Sequence, residues 1–263
     1  MFITLKKEIW NMKNLAAILS LLLMITFHHS FANVDVKLDS ANVFYSKGEY
    51  EKAIREYENI INANMVSSEI YYNLANSYYK SNKLTKAIIN YERALKLNPS
   101  DDDIKYNLEL ANTYITDKIE IMPTFFLTSW INSFYNLYST DTWAIISMIS
   151  FVIFLVLLAI FFLTRMLFLK KISFYFSLFI ILISIISFWS SYKQKQFIVA
   201  QNTAIITNPS ITAKSSPDDS GNDLFQLHEG TKTYLEEKVG NWQKFRLTDG
   251  NVGWLREKDI EII

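Results

Sequence analysis

No cysteine occurs in the 263 residues, which removes disulfides, thiol nucleophiles and thiolate metal sites. Histidine is almost as scarce: His28, His29 and His228 are the whole supply. The first two fall within an N-terminal export pattern, leaving one imidazole in the exported chain. That is too few for most general-base, triad or zinc chemistry. Neither sign of charge is in excess, with 26 basic against 26 acidic residues, whereas a nucleic-acid partner needs a basic footprint. Glycine and proline, 6 and 4 in total, are missing altogether between Pro123 and Pro209. No catalytic, cofactor-binding or metal-ligating residue is assigned, and the chain is not expected to be an enzyme.

The stretch without glycine and proline holds the longest uncharged runs. Trp143–Thr164 is about 22 residues, enough at 1.5 Å per residue to cross a ~30 Å hydrocarbon core. A connector with three basic residues, Arg165, Lys170 and Lys171, leads to a second run, Ile172–Trp189, extended by Ser190, Ser191 and Tyr192. Together they predict a two-helix transmembrane hairpin over 143–192, with spans at 143–164 and 172–190. In the second span Ser173 and Ser177, then Ser184 and Ser187, recur near one helical face, where small residues allow close helix approach; the alternative is that they are tolerated single residues. No charge inside either span marks an ion path.

Residues 1–32 read as a secretory signal: Lys6, Lys7 and Lys13 precede the apolar run Leu15–Phe27, and Ser30-Phe31-Ala32 offers a cleavage site. Met12 could itself open such a signal, and an uncleaved anchor stays open as an alternative. An exported N-terminus and a basic 165–171 connector place both soluble regions outside the cytoplasm of a two-pass inner-membrane protein.

From Val36 to about Tyr114 the chain repeats with a period of 34. Asn42 recurs as Asn76, Tyr45 as Tyr79, Ala53 as Ala87, Tyr57 as Tyr91 and Tyr72 as Tyr106. Gly48 stands opposite Asn82, the residue types that tolerate a left-handed turn between helices. The unit Tyr71-x2-Leu74-Ala75-x2-Tyr78…Ala87-x3-Tyr91-x2-Ala94…Pro99 resembles the tetratricopeptide repeat, implying an all-α solenoid over 33–122. The first unit is weaker, with Ser40 and Met65 at unusual places. Asp101–Tyr114 supplies only the first helix of a third unit, which would cap the stack.

Asn42, Tyr45, Tyr72, Asn76, Tyr79 and Tyr106 lie on first helices at places resembling the groove positions of such repeats. They are the candidate protein-binding residues: Asn amides can pair with an extended backbone, and Tyr rings offer flat contact. Being expected at the surface, Asn76 and Tyr79 should be replaceable with little loss of stability. The alternative is that these are solvated residues copied with the repeat. Leu38, Asp103 and Asn107 stand where carboxylate-clamping relatives carry Lys, Arg and Asn, which argues against capture of a terminal carboxylate.

Residues 123–142 predict an aromatic interfacial helix, or else a juxtamembrane spacer, with Leu127, Trp130, Ile131, Phe134 and Tyr138 at helical spacing. Residues 193–263 change to short alternating runs separated by turns, among them Asp249-Gly250 between Phe245-Arg-Leu247 and Val252-Gly-Trp254-Leu255. This region resembles the bacterial SH3-like domain, implying a small all-β barrel, with Trp254 expected in its core and His228 on its surface. The strand Ile211-Thr-Ala-Lys-Ser departs from the family pattern.

The succession of signal, repeats, aromatic segment, two spans and terminal barrel resembles the BatE family of the Bacteroides aerotolerance operon. The passage Tyr106-Asn-Leu-Glu-Leu-Ala-Asn…Asp117-Lys-Ile-Glu…Pro123-x-Phe125-Phe126-Leu127-Thr adds to that resemblance. It implies a multidomain membrane protein working beside von Willebrand A-domain membrane proteins and a MoxR-type ATPase. A scaffold acting through the repeat groove is the leading expectation. A cell-wall-binding or envelope-sensing protein acting through the SH3-like domain, with peptidoglycan as ligand, is the alternative. The partners expected are thus proteins and the lipid bilayer, with no cofactor and no nucleic acid.

Overall fold

The computed structural model describes residues 34–120, 122 and 125–263; the expected signal segment lies outside them. Five helices come first: α1 (Val34–Ser46), α2 (Tyr50–Asn62), α3 (Ser68–Lys80), α4 (Leu84–Leu97) and α5 (Asp102–Asn112). They form two helical hairpins and a last single helix. Each hairpin bends at a residue in the left-handed region, Gly48 (φ 76°) and Asn82 (φ 58°), where lack of a Cβ or a short amide side chain lowers the strain. Two helix starts are closed by side chains. Ser67 Oγ accepts the Ile70 amide at 3.2 Å, and Asp101 Oδ1 accepts the Asp103 and Ile104 amides, satisfying donors a helix start leaves unpaired.

The alanines of the period, Ala41, Ala53, Ala75, Ala87, Ala94 and Ala111, are all fully buried. A methyl group is the largest side chain that lets helix backbones approach so closely, so Tyr57 and Tyr91 fill the spaces between.

The apolar hairpin consists of α7 (Thr140–Leu163) and α8 (Leu167–Val199), preceded by α6 (Phe126–Tyr135). Both α7 and α8 are long and apolar enough to cross a membrane. The turn between them is Thr164–Met166, shorter than the connector expected from sequence. Lys170 and Lys171 belong to α8, and Lys170 Nζ lies 5.1 Å from the Phe161 ring centre. The uncharged run marked where the apolar part of α8 ends, but the helix continues through Leu167–Lys171 and Lys193–Val199. Most large apolar side chains of the pair point outward, whereas Ser147, Ser150, Ser173, Ser177, Ser184, Ser187 and Ser190 are buried. Ser147 Oγ donates to Ser184 O and Ser184 Oγ to Ser147 O, each at 3.0 Å. Small polar residues face the seam and bulky apolar ones face out, the arrangement required where lipid removes any hydrophobic drive between helices. Ser139 caps α7, and Gln194 binds the carbonyls of Tyr135 and Tyr138 while accepting from Thr140.

The C-terminal part is a seven-stranded antiparallel sheet in the order β3-β2-β6-β5-β4-β1-β7. The strands are β1 (Thr203–Ile206), β2 (Ser210–Lys214), β3 (Asp223–His228), β4 (Lys232–Val239), β5 (Trp242–Arg246), β6 (Val252–Arg256) and β7 (Ile260–Ile262). The Asp249-Gly250 turn closes the β5–β6 hairpin, with Gly250 at φ 89°. Phe245, Leu227, Leu255 and Ile206 make its core.

Two sequence expectations are corrected. The sheet is open, with β3 and β7 as edges, not a closed barrel. Instead of meeting β3, β7 lies against α4 through Glu261 and Arg93, 2.8 Å apart. Trp254 is also outside the core: alternation on β6 sends Gly253 and Leu255 inward and Trp254 outward, half-buried. Phe245 takes the core place, packed so closely on Gly253 that an added Cβ would sit 3.3 Å from its ring.

The sheet and the repeats share their packing. Ile205 and Ile263 belong to the apolar cluster of the repeats, and Ile119, from the segment after α5, packs on the cluster of the sheet. Lys232 pairs with Glu92 at 2.6 Å, and Lys96 donates to the carbonyls of Ala200 and Ile263. The outer face of α4 is therefore covered.

Candidate protein-binding groove

First helices α1, α3 and α5 form the other side. On α3, Tyr72, Asn76 and Tyr79 follow at steps of four and three and so share one stripe. Asn42 and Tyr45 continue it on α1, and Tyr106 on α5. The buried faces of the same helices, Ala41 on α1, Ile70, Leu74 and Tyr78 on α3, Ile104 and Leu108 on α5, point into the core.

The six side chains are not equivalent. Tyr106 is 67% exposed. Tyr45, Tyr72 and Tyr79 are half-buried and rest on the core cluster. The Tyr72 hydroxyl accepts from Asn107 Nδ2 at 2.8 Å, and its ring lies 6.1 Å from that of Tyr91. Tyr79 pairs with Tyr114, centroids 6.4 Å apart, and the hydrogen bond between them, followed by burial, pushes the Tyr79 phenol up. Burial, then the neighbouring Tyr50 and Tyr72, raises Tyr45.

Asn42 and Asn76 also serve the interior. The Tyr57 hydroxyl donates to Asn42 Oδ1 at 2.5 Å, and the Tyr91 hydroxyl donates to Asn76 Oδ1 at 2.6 Å. One hydrogen bond is thus built twice, one period apart, and it ties each second helix to its own first helix. Removing Asn76 would leave a deeply buried hydroxyl without its acceptor, so Asn76→Ala is not neutral as expected from sequence. Each amide oxygen is occupied by a core tyrosine, and the Asn76 NH2 is the group left to offer a partner.

Tyr114, 63% exposed beside Tyr79, and Asn73, which donates to Asn42 at 3.3 Å, belong to the same surface and were missed in sequence. Their signal was present: Asn73 recurs as Asn107, and Tyr114 closes the repeating stretch two residues past the end of α5. Less legible were Glu92, Arg93 and Lys96 on α4. No role was expected of them from sequence, and they are the docking face for the sheet. His228, expected at the surface, is half-buried and contacts Asp117.

Among the described residues, no group of three or more His, Asp or Glu side chains converges as a metal site requires.

Residues 68–101 match the family model described as "Tetratricopeptide repeat", and residues 41–82 match the one described as "TPR repeat". Tetratricopeptide repeats are present. No curated protein matches the chain. Such repeats are a non-catalytic interaction motif, and their presence suggests protein partners.

Proposed function

We propose that the protein is a non-enzymatic, membrane-anchored adaptor whose repeat groove holds a segment of a partner protein. The observation that carries this is the asymmetry of the solenoid. The terminal sheet covers α4, the second of its second helices, while the first-helix side presents the exposed tyrosines Tyr106 and Tyr114. A buried face is spent on rigidity, and an open aromatic face is the kind that marks interaction sites.

On this reading the protein sits in a bacterial inner membrane through α7 and α8, with α6 at the lipid boundary. The groove and the terminal SH3-like domain both face the extracytoplasmic side. In keeping with the BatE resemblance, the partner is a von Willebrand A-domain membrane protein within an aerotolerance complex driven by a MoxR-type ATPase. Crosslinking and recovery from membranes, with wild type and Tyr106→Ala compared, tests the groove. Loss of a protein band in the variant is expected, and identical recovery overturns the reading. Protease added to spheroplasts should digest both soluble regions, and protection of either one reverses the topology.

A second reading keeps one specific observation. Trp254 points out of the sheet, and Trp242 lies under the Arg256 guanidinium at 5.2 Å, so two indoles near the surface could stack on a wall sugar. Binding of the chain to purified peptidoglycan, lost on Trp254→Ala, would favour that reading.

A further inference from the structure

The two helix layers of the solenoid differ in charge. First helices carry Asp39, Glu69, Asp102, Asp103 and Glu109 against Lys80 and Lys105. Second helices carry Glu51, Glu56, Glu58 and Glu92 against Lys52, Arg55, Lys86, Arg93 and Lys96. An overall neutral chain therefore turns its acidic layer to the open side.

Within that layer two carboxylates stand on the tyrosine stripe itself. Glu69 lies three residues before Tyr72, and Asp103 three residues before Tyr106, one period later. That spacing stacks each carboxylate one turn from its tyrosine on the same helix face. Both are exposed, and among the described residues neither enters an ion pair, whereas neighbouring Asp102 is held by Lys105 at 2.9 Å. The Glu69 charge is felt in the core beneath the stripe. Burial first, then the Tyr45 phenol and the Glu69 carboxylate, push the Tyr57 phenol above its ordinary range.

We infer that the groove selects an extended polypeptide segment bearing Lys or Arg, with its cations beside Glu69 and Asp103 and over the Tyr72 and Tyr106 rings. This rests on the groove being the binding surface. Carboxylates complement the cations, and tyrosine faces attract them through the ring quadrupole. The Asn76 amide, its oxygen already occupied, offers NH2 donors to carbonyls of the segment. An acidic segment would meet like charge at both carboxylates, so the same groove rejects it.

The test uses the full chain in a non-ionic detergent and three fluorescent peptides of equal length. They are Ser-Ala repeats carrying Lys, Gln or Glu at every third position, and binding is followed by anisotropy. The Lys peptide should bind about tenfold more tightly than the Gln peptide, and the Glu peptide more weakly than either. Glu69→Gln with Asp103→Asn, both exposed substitutions, should bring the Lys peptide down to the Gln value and leave the Gln peptide unchanged. Equal binding of all three peptides, abolished by Tyr106→Ala, overturns the charge selection and leaves the groove as the binding surface. Lys-peptide binding that neither Tyr106→Ala nor the charge variant alters overturns both. Failure of the Lys peptide to bind also overturns the inference.

Discussion

Asp117 and His228, 111 positions apart, are joined at a 2.7 Å contact between Asp117 Oδ1 and His228 Nδ1. Asp117 Oδ2 accepts from the His228 amide and the Thr231 hydroxyl, both also at 2.7 Å. One carboxylate on the segment leaving the repeats thus closes the β3–β4 turn of the sheet. Beside it, Gly230 (φ 88°) packs so tightly that an added Cβ would lie 2.6 Å from Ile115.

Burial opposes ionisation of Asp117, but the hydrogen bonds from His228 and Thr231 outweigh it and hold the carboxyl below the ordinary carboxylate range. A lowered carboxyl stabilises the fold above its unfolded pKa of ~3.9, and that stability is lost as pH falls through the folded value. Asp117→Ala should cost about 2 kcal/mol near neutral pH, because it strands buried donors. Melting of wild type and variant from neutral to strongly acid pH checks this: the gap must narrow on acidification, and a constant gap refutes it.

Tyr91→Phe removes the donor to Asn76, and Asn76→Ala removes the acceptor. Each should destabilise by about 1–2 kcal/mol, and the double change by less than the two together, since either one already breaks the bond. Chemical denaturation of the four chains gives the coupling energy. Strict additivity would mean that the bond contributes nothing.

Phe245 and Trp254 should behave oppositely to what their size suggests. Phe245→Ala empties a fully buried site and should cost about 3–5 kcal/mol. Trp254→Ala removes an outward, half-buried indole and should cost roughly 1 kcal/mol. Near-ultraviolet circular dichroism during melting distinguishes the two. A Trp254→Ala chain as unstable as the Phe245→Ala chain would put the indole back in the core.

Because the chain has no cysteine, the seam of the apolar hairpin can be probed without background. Ser147 and Ser184 hydroxyls lie 3.4 Å apart, so Ser147→Cys with Ser184→Cys should oxidise readily in membranes. Met148 and Ile185 are both exposed, and the same pair of substitutions there should stay reduced. Blocking with a thiol-reactive polymer reports the difference as a gel shift. Equal oxidation of the two pairs would show that the helices do not hold this face.

Local pattern was legible where one interaction range suffices. The 34-residue period predicted the helical hairpins because the same small and aromatic residues are buried at equivalent places in each unit. The Asp249-Gly250 turn predicted its hairpin because a two-residue backbone geometry decides it. The buried serines of α8 were visible as a stripe. The groove residues were found as a face, but not the division of labour within it: Asn76 repeats whether it faces a ligand or a core hydroxyl, and only the Tyr91 side chain above it decides.

By itself, then, the sequence determined the repeats, the apolar hairpin and the β character of the terminal region. All three follow from periodicity and from the length of uncharged runs. Tertiary structure decided how they join. That α4 is a docking face, that Ile119 belongs to the sheet core and that Asp117 holds His228 are facts about residues far apart in the chain. No local spacing encodes them, because a charged face, an isolated isoleucine and a linker aspartate look the same in sequence whether water or a folded partner lies opposite. Burial of Glu92 against Lys232, and the opening of the sheet onto α4, came from the same long-range packing. Docking of the sheet on α4 left the acidic, tyrosine-lined side of the repeats open.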